Sequence, residues 1–304
     1  MSTVLRPPGS SDAAEVTSGT AGGYREPRKG AAARTWSGGR HAFLVVMALL
    51  TLFPLVLMVS TAFKPRQAVK VDPFGLFDSF SLENIDVAWN EGNFSEYLVN
   101  SFLLSVPSTV LVVVLSTLGG YAFARLPFRG RSVAFYSVMF GLLVPFFTYM
   151  IPLYFQLRGM QLLDSLLGVN LVLASTGLSF GTFFMRAFFS DLPGELEQAA
   201  RIDGATEWQI FRQVMLPLVG SGIGALAVFT FLQNWNNFLV PLLYLPSGGY
   251  RPLTTGLFLF LGGRSVDIGP LAAGALITVL PVVILFLALQ RQVTQGFLSG
   301  AVKG

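Results

Sequence analysis

Residues 191–217 read Asp191-Leu-Pro-Gly-Glu-Leu-Glu-Gln-Ala-Ala-Arg-Ile-Asp-Gly-Ala-Thr-Glu-Trp-Gln-Ile-Phe-Arg-Gln-Val-Met-Leu-Pro217, a largely polar stretch between two long apolar ones. Pro193 suits the first turn of a helix, and Glu195 and Glu197 suit the positive end of its dipole. Gly204 is a natural stop, because glycine readily adopts the left-handed conformation found just after helices. The stretch therefore begins with a short helix, about Pro193–Gly204.

A second helix is predicted directly after this turn. Thr206 is followed three residues later by Gln209, the spacing of a capping box. The two helices form a rigid element with charged residues and with apolar residues that a polar loop would not need, namely Leu196, Trp208, Ile210 and Phe211. Such an element suits docking into a groove of another protein, although a helix lying on a membrane surface is an alternative.

Composition identifies the rest of the chain as membrane-embedded. Hydrophobic residues make up 53% and charged residues 12% of the sequence, about half the charged share of a soluble domain. Its mean hydropathy is +0.63. Six apolar stretches approach the ~20 residues that a helix needs to cross the hydrocarbon core. They predict an all-α membrane protein with six transmembrane helices, at about 41–63, 99–124, 132–157, 166–189, 215–240 and 268–290.

The distribution of Lys and Arg orients these spans. With the N-terminus in the cytoplasm, fourteen of the basic residues lie inside and six outside, and both termini are cytoplasmic. The 191–217 loop, between the fourth and fifth spans, is then cytoplasmic. Residues 1–40 are Gly-, Ala-, Ser-, Pro- and Arg-rich, which predicts a disordered basic cytoplasmic tail. Residues 241–267 are interpreted as an apolar outer loop, with a re-entrant hairpin as the alternative.

Several function classes are excluded by what the sequence lacks. It has no Cys and one His, so thiolate chemistry and His-pair metal sites are excluded. None of its four Lys stands in a phosphate-binding P-loop, so any ATP that drives this protein binds to another chain. No Asp, Glu, Lys or Arg lies in the middle of a span, which argues against a self-powered carrier. We predict a non-catalytic protein with no metal site.

Two features of the spans are informative. Prolines at or within spans each free a carbonyl that neighbouring groups must satisfy, which marks kinked, packed helices; they are Pro54, Pro107, Pro145, Pro152, Pro217 and Pro281. A polar cluster, Gln233-Asn234-Trp235-Asn236-Asn237, lies in the outer half of the fifth span. These side chains either line a pathway for a neutral hydroxylated solute or hold helices together, with Trp235 at the membrane interface.

The polar loop resembles the EAA loop of permease subunits in ATP-binding-cassette importers. Gln198-Ala-Ala-Arg-Ile-Asp-Gly204, followed at the expected distance by Leu216-Pro217, carries the resemblance. Further matches are similar to carbohydrate-uptake permeases of the maltose-permease second-subunit type: Tyr121-Ala-Phe-Ala-Arg-Leu-Pro-Phe-Arg-Gly-Arg131, Trp235-Asn236 and Gly300-Ala-Val-Lys-Gly304. Gln198 replaces the motif's Glu, and Asn237 stands where many relatives carry Asp.

The resemblance implies a bacterial plasma-membrane importer made of several chains. It implies a homologous second permease, two ATPase subunits that hold ATP and Mg, and an extracytoplasmic binding protein; no cofactor binds this chain, and no nucleic acid is a partner. The substrate is expected to be an oligosaccharide, disaccharide or related polyol, with glycerol phosphate, another solute, or a secondary carrier as alternatives. The implied ATPase-coupling residues are Glu195, Glu197, Gln198, Ala199, Ala200, Arg201, Asp203, Gly204 and Phe211. Those of the pathway are Gln233, Asn234, Trp235, Asn236 and Asn237, and Gly300 and Lys303 form a C-terminal ATPase contact.

Overall fold

The computed structural model describes residues 31–76, 79–261 and 267–301. These residues fall into two units, one ending at Leu52 and the other beginning at Phe53. Every regular element in the described ranges is helical. The helices are α1 (Ala31–Ala62), α2 (Arg66–Val71), α3 (Glu83–Asp86), α4 (Phe94–Arg125), α5 (Arg131–Leu143), α6 (Phe146–Gly159), α7 (Leu166–Ser190), α8 (Glu195–Ile202), α9 (Glu207–Gln209), α10 (Leu216–Leu218), α11 (Gly220–Trp235), α12 (Leu239–Tyr244), α13 (Leu253–Leu261) and α14 (Ile268–Ala301), with π-helical turns at Val87–Glu91 and Ile210–Met215.

Four helices are long and apolar enough to cross a membrane as single spans: Arg40–Ala62 within α1, α4, α7, and Ile268–Gln290 within α14. Two further spans are present only if each of two bent helix pairs counts as one. The predicted third span, 132–157, is divided into α5 and α6, which meet at an angle of 101°. The predicted fifth span, 215–240, is also broken, with a bend of 73° before α11 and an end at Trp235.

Proline chemistry explains the sharper bend. Val144 precedes Pro145, whose ring disfavours the helical conformation of the residue before it. Val144 accordingly has φ −87° and ψ 111°, and Pro145 itself is extended before α6 begins. The second bend follows Pro217, at Val219, whose ψ of 13° leaves the helical range just before Gly220.

Two helices extend beyond the predicted spans. The described part of helix α1 begins at Ala31, within the predicted tail of residues 1–40. The remaining tail, residues 1–30, lies outside the described residues. Helix α14 continues beyond the predicted span to Ala301.

The segment 241–267 is neither a plain loop nor a simple hairpin in its described part. It contains most of α12 and all of α13, and α13 is held against α4 by Leu253, whose amide donates to Ser101 Oγ at 2.8 Å. Gly256 of α13 lies directly against the ring of Tyr97, where a side chain would not fit. At the same end of the molecule, Arg66 pairs with Asp267 at 2.5 Å, and the hydrogen bond that Arg66 donates to this carboxylate raises the pKa of Arg66.

Helix α4 is the centre of the second unit, with α7 packed along its length and α11 against it. The backbones of α4 and α7 approach closely at Gly120, where an added Cβ would lie 2.6 Å from the Cβ of Met185. Pro107 within α4 has no N–H to bond the Leu103 carbonyl. Asn170 of α7 donates its amide to that carbonyl at 3.1 Å, so the predicted rescue by a neighbouring helix is present here.

Candidate functional site

The turn after α8 has the geometry that its sequence predicts. Gly204 has a φ of +80°, in the left-handed region. Its amide donates to Arg201 O at 3.1 Å, and the amide of Ala205 donates to Ala200 O at 3.0 Å, which together form a Schellman motif. Pro193 does not occupy the first turn as predicted, since α8 begins at Glu195 after Gly194.

The capping box that begins the next helix is confirmed. Gln209 N donates to Thr206 Oγ1 at 3.3 Å, and Thr206 N donates to Gln209 Oε1 at 2.8 Å. Because both ends of the turn are satisfied by local hydrogen bonds, α8 and α9 form one rigid unit.

Glu197 points inward, although the sequence places it among the ATPase-coupling residues. Its side chain is 7% exposed, and its carboxylate lies 3.5 Å from Nε of Arg125 at the end of α4. The same guanidinium donates to Phe189 O at 2.9 Å and also to Leu192 O, at the end of α7. Arg125 therefore joins α4, the end of α7 and α8 at one point, which we name the Arg125 junction.

Arg201 extends this junction to the surface. It lies 3.6 Å from Glu197, one helical turn away, and 2.9 Å from Glu207 of α9. The hydrogen bond to Glu207 raises the pKa of Arg201 above its ordinary value. The pair therefore bridges the two helices across the turn at Gly204.

The opposite face of α8 is exposed in the described part of the chain. Glu195, Ala199 and Ile202 recur at helical spacing on the side away from Glu197, and all three are exposed, as are Gln198 and Asp203. Ile202 is 86% exposed, an unusual position for a large aliphatic side chain. Ala200 is half-buried beside the core.

Ile202 and Arg125 are absent from the predicted site residues. Each had a signal in the sequence: Ile202 lies within the EAA-like motif, and Arg125 within the Tyr121–Arg131 match.

The apolar residues after the turn divide between core and surface. Leu196 and Trp208 are exposed as predicted. Ile210 and Phe211 are buried, so Phe211 does not present its ring to a partner as expected of an ATPase-coupling residue. Its ring packs against Tyr121 of α4 at a centroid distance of 4.9 Å, and Phe211 itself lies in the π-helical turn Ile210–Met215.

The polar cluster at the end of α11 likewise contains both buried and exposed side chains. Asn234 is buried and donates to Ser108 Oγ at 2.9 Å and Thr109 Oγ1 at 3.3 Å, both on α4. Trp235 is buried and donates to Thr278 O of α14 at 3.2 Å. These two side chains hold α11 between α4 and α14, as in the helix-holding alternative.

The other three members of the cluster are more accessible. Gln233 and Asn236 are exposed, and Asn237 is half-buried. Asn237 Oδ1 accepts the amide of Val240 at 3.0 Å, so this side chain stabilises the first turn of α12. Gln233 and Asn236 are therefore the exposed members of the cluster.

The structure says little about the predicted C-terminal ATPase contact. Gly300 lies in α14, and Lys303 lies outside the described residues. Within the described ranges, no group of three or more His, Asp or Glu is arranged to hold a metal ion.

Comparison with known proteins identifies the family. The family profile described as "Binding-protein-dependent transport system inner membrane component" matches residues 116–298, from the second half of α4 into α14, including α8 and the polar cluster. This chain belongs to that family. It is the carbohydrate type of permease subunit of ATP-binding-cassette importers, a multi-pass protein of the bacterial inner membrane.

Individual relatives support the assignment. A diacetylchitobiose uptake system permease of Streptomyces coelicolor is 33% identical over 269 residues, covering 88% of this chain and 89% of that protein. An arabinooligosaccharide transport permease of Halalkalibacterium halodurans is 36% identical, covering 85% and 93%.

A solved structure shares the fold. A chain in the crystal structure of a bacterial ABC transporter involved in the import of the acidic polysaccharide alginate aligns with a TM-score of 0.77 and 21% identity, covering 88% of this permease and 99% of that chain. At this identity, the likeness concerns the fold alone.

Proposed function

We propose that this permease pairs with a homologous second permease to import a neutral sugar, an oligosaccharide or a disaccharide, using ATP hydrolysed by two separate ATPase subunits. The substrate class is inferred from the names of its relatives, which are permeases for diacetylchitobiose and for arabinooligosaccharides. A binding protein outside the membrane delivers the sugar. The observation that carries the mechanism is the two-sided character of α8.

Helix α8 is built to transmit a displacement. Its outer face, with Glu195, Ala199 and Ile202, is exposed and offers an aliphatic side chain, a small residue and a carboxylate to an ATPase groove. Its inner face is tied through Glu197 to the Arg125 junction. A movement of the outer face is therefore passed directly to α4 and α7, which are the central helices of the second unit.

We further propose six spans, with each bent pair crossing once and both termini in the cytoplasm. The basic residues support this orientation, because Arg125, Arg131 and Arg186 lie at the end of the helices where α8 is found. Basic residues are enriched on the cytoplasmic side of membrane proteins. The acids of the segment between α1 and α4 lie at the other end, where the described ones, Asp72, Glu83, Asp86, Glu91 and Glu96, are exposed and available to the binding protein.

The sugar pathway involves the exposed part of the polar cluster. Gln233 and Asn236 carry both donors and acceptors, which match the hydroxyl groups of a neutral sugar. Asn234 and Trp235 serve a structural role beside them. Gln233 and Asn236 thus contact the sugar, whereas the two residues between them in sequence hold the helices together.

The coupling role of α8 is tested at Gly204. The left-handed φ of +80° is strained for residues with a side chain, and most of all for β-branched ones. A Cβ at this position meets nothing within 4 Å, so the strain is not confounded by a clash. We expect Gly204→Val to abolish most uptake in proteoliposomes of the complete importer, while Gly204→Asn, which tolerates this conformation, retains most of it. Normal uptake by the Val variant would contradict the coupling role of the turn.

The pathway proposal is tested by comparing neighbours. Gln233→Leu and Asn236→Leu should leave the detergent-solubilised complex as stable as the wild type but raise the sugar concentration needed for half-maximal uptake. Asn234→Leu should instead lower the thermal stability of the complex, because it removes two interhelical hydrogen bonds worth about 1–3 kcal/mol together. Unchanged uptake in both exposed variants would exclude these two side chains from the pathway.

A further inference from the structure

A polar cavity lies between the ends of α4, α5 and α7, and its lining includes no residue of the polar cluster or of α8. It has a volume of about 240 Å³ and is lined by Phe123, Arg131, Ser132, Phe135, Tyr136 and Arg186. A water molecule occupies about 30 Å³ in the liquid, so the cavity has room for a phosphate group together with several waters. Its lining contains two guanidinium groups and no carboxylate.

Each of the two arginines donates a hydrogen bond to a backbone carbonyl of α4. Arg131 donates to Ala124 O at 3.2 Å, and Arg186 donates to Phe123 O at 3.4 Å, so both cap the last turn of α4. Arg186 also lies 4.0 Å above the ring centre of Phe135. Across the described part of the chain, neither is within salt-bridge distance of an acid. Because a guanidinium has several donors in a fork, most of them remain available to an anion.

The surroundings add to the positive potential. The cavity lies at the N-terminus of α5, a helix of 13 residues that begins after Gly130, and Ser132 of its first turn lines the cavity. The unpaired amides of a first helical turn favour an anion. The hydroxyl groups of Ser132 and Tyr136 can donate further hydrogen bonds to phosphate oxygens.

An apolar stripe continues from this cavity along α5. Val133, Tyr136, Phe140 and Leu143 recur at helical spacing on one face, and all are at least 63% exposed. A soluble phosphate makes no favourable contact with this stripe, whereas the acyl chain of a lipid would pack along it. The pattern of a basic pocket at the cytoplasmic end of membrane helices is typical of anionic lipid sites.

We propose that this cavity binds the phosphate of an anionic phospholipid in the cytoplasmic leaflet. Arg131 and Arg186 contact the phosphate oxygens, and the stripe on α5 contacts one acyl chain. The lipid thereby fastens α5 to the ends of α4 and α7 beside the Arg125 junction. The site does not depend on which sugar is carried, but its place in the cytoplasmic leaflet rests on the orientation proposed above.

Native mass spectrometry of the purified, delipidated importer complex tests the site. The probes are phosphatidylglycerol, phosphatidylcholine with the same acyl chains, and soluble glycerol 3-phosphate. We expect phosphatidylglycerol to bind more tightly than the other two, and Arg131→Gln or Arg186→Gln to weaken it about fivefold each. The matched control is Arg129→Gln, which removes the same charge from an exposed neighbour outside the lining and should change the affinity by less than about twofold.

Each contrary result overturns a defined part of the proposal. Equal weakening by Arg129→Gln would indicate diffuse surface attraction instead of a site. Equally tight binding of glycerol 3-phosphate would identify a soluble phosphate as the ligand, and equal binding of phosphatidylcholine would remove the selectivity for anionic lipids. Should the variants fail to assemble, a phosphatidylglycerol carrying a diazirine on its acyl chain is photolysed with the wild-type complex. Labelling concentrated on residues 133–143 supports the site, and labelling confined to other helices refutes it.

Discussion

Replacing Glu197 by glutamine is the sharpest test of how α8 is connected to the rest of the permease. The substitution keeps the size and shape of the side chain but removes the charge that faces Arg125 at 3.5 Å and Arg201 at 3.6 Å. Glu197 is buried, so the lost interaction is not replaced by water.

The magnitude follows from the burial and the remaining partners. Two unit charges 3.5 Å apart attract by about 5 kcal/mol at an effective dielectric constant of about 20, before the cost of desolvation is deducted. Removing one member of a buried pair destabilises proteins by about 3–5 kcal/mol. Arg125 keeps its hydrogen bonds to Phe189 O and Leu192 O, so we expect about 2–3 kcal/mol here. This energy is lost from the contact of α8 with α4 and α7.

The assay is sugar uptake per ATP hydrolysed, measured in proteoliposomes of the complete importer. A loosened α8 still meets the ATPase through its exposed face, so ATP hydrolysis should continue. Its displacement is transmitted poorly to α4, so uptake per ATP should fall by at least about fivefold, well within what about 2 kcal/mol allows. Glu195→Gln is the matched control, with the same chemical change two residues earlier on the exposed face.

Two results would refute this reasoning. One is an unchanged uptake per ATP in Glu197→Gln, which would mean that the buried pair does not transmit the movement. The other is that the effects of Glu197→Gln and Arg125→Gln on uptake per ATP simply add in the double variant. Residues that interact should instead show a coupling energy.

Two further predictions concern the packing of α4 against α7. Asn170→Ala leaves the Leu103 carbonyl unsatisfied opposite Pro107 and should lower the thermal stability of the complex by about 1–3 kcal/mol; adding Pro107→Ala restores a backbone N–H and should recover much of the loss. Gly120→Ala places a methyl group 2.6 Å from a neighbouring side chain and should reduce assembly of the complex, measured by co-purification. Its control, Gly159→Ala, meets nothing within 4 Å, and equal losses in both would contradict the close approach at Gly120.

The features that the sequence predicted well are those determined by residues close together in the chain. The capping box depends on Thr206 and Gln209, three positions apart, and the stop at Gly204 depends on one backbone conformation. Span length and apolar character are likewise local, so α7 and the ends of α1 and α4 nearly match the predicted boundaries. Pro107 predicted that a carbonyl one turn earlier lacks a donor, but only the fold shows that the side-chain amide of Asn170 donates to it.

The sequence did not predict which residues of the 191–217 loop face inward. Glu197, Ile210 and Phe211 are charged or apolar residues in a polar loop, and the sequence alone does not say which helical face meets α4. Kinks were predicted at Pro145 and Pro217, but not how sharply each helix bends. Pro145 marks a break, but its angle of 101° depends on how α5 and α6 pack against their neighbours.

The amino-acid sequence alone indicated that the protein lies in a membrane and is all-α, excluded several kinds of chemical site, and carried the family resemblance. These follow from composition, apolar length and short motifs, which are properties of the chain itself. Tertiary structure decided which members of each polar group are available. Successive residues of a helix turn by about 100°, so Asn234 and Asn236 point to different surroundings although they are two residues apart. Only the packing of α11 against α4 makes one of them a structural contact and leaves the other exposed.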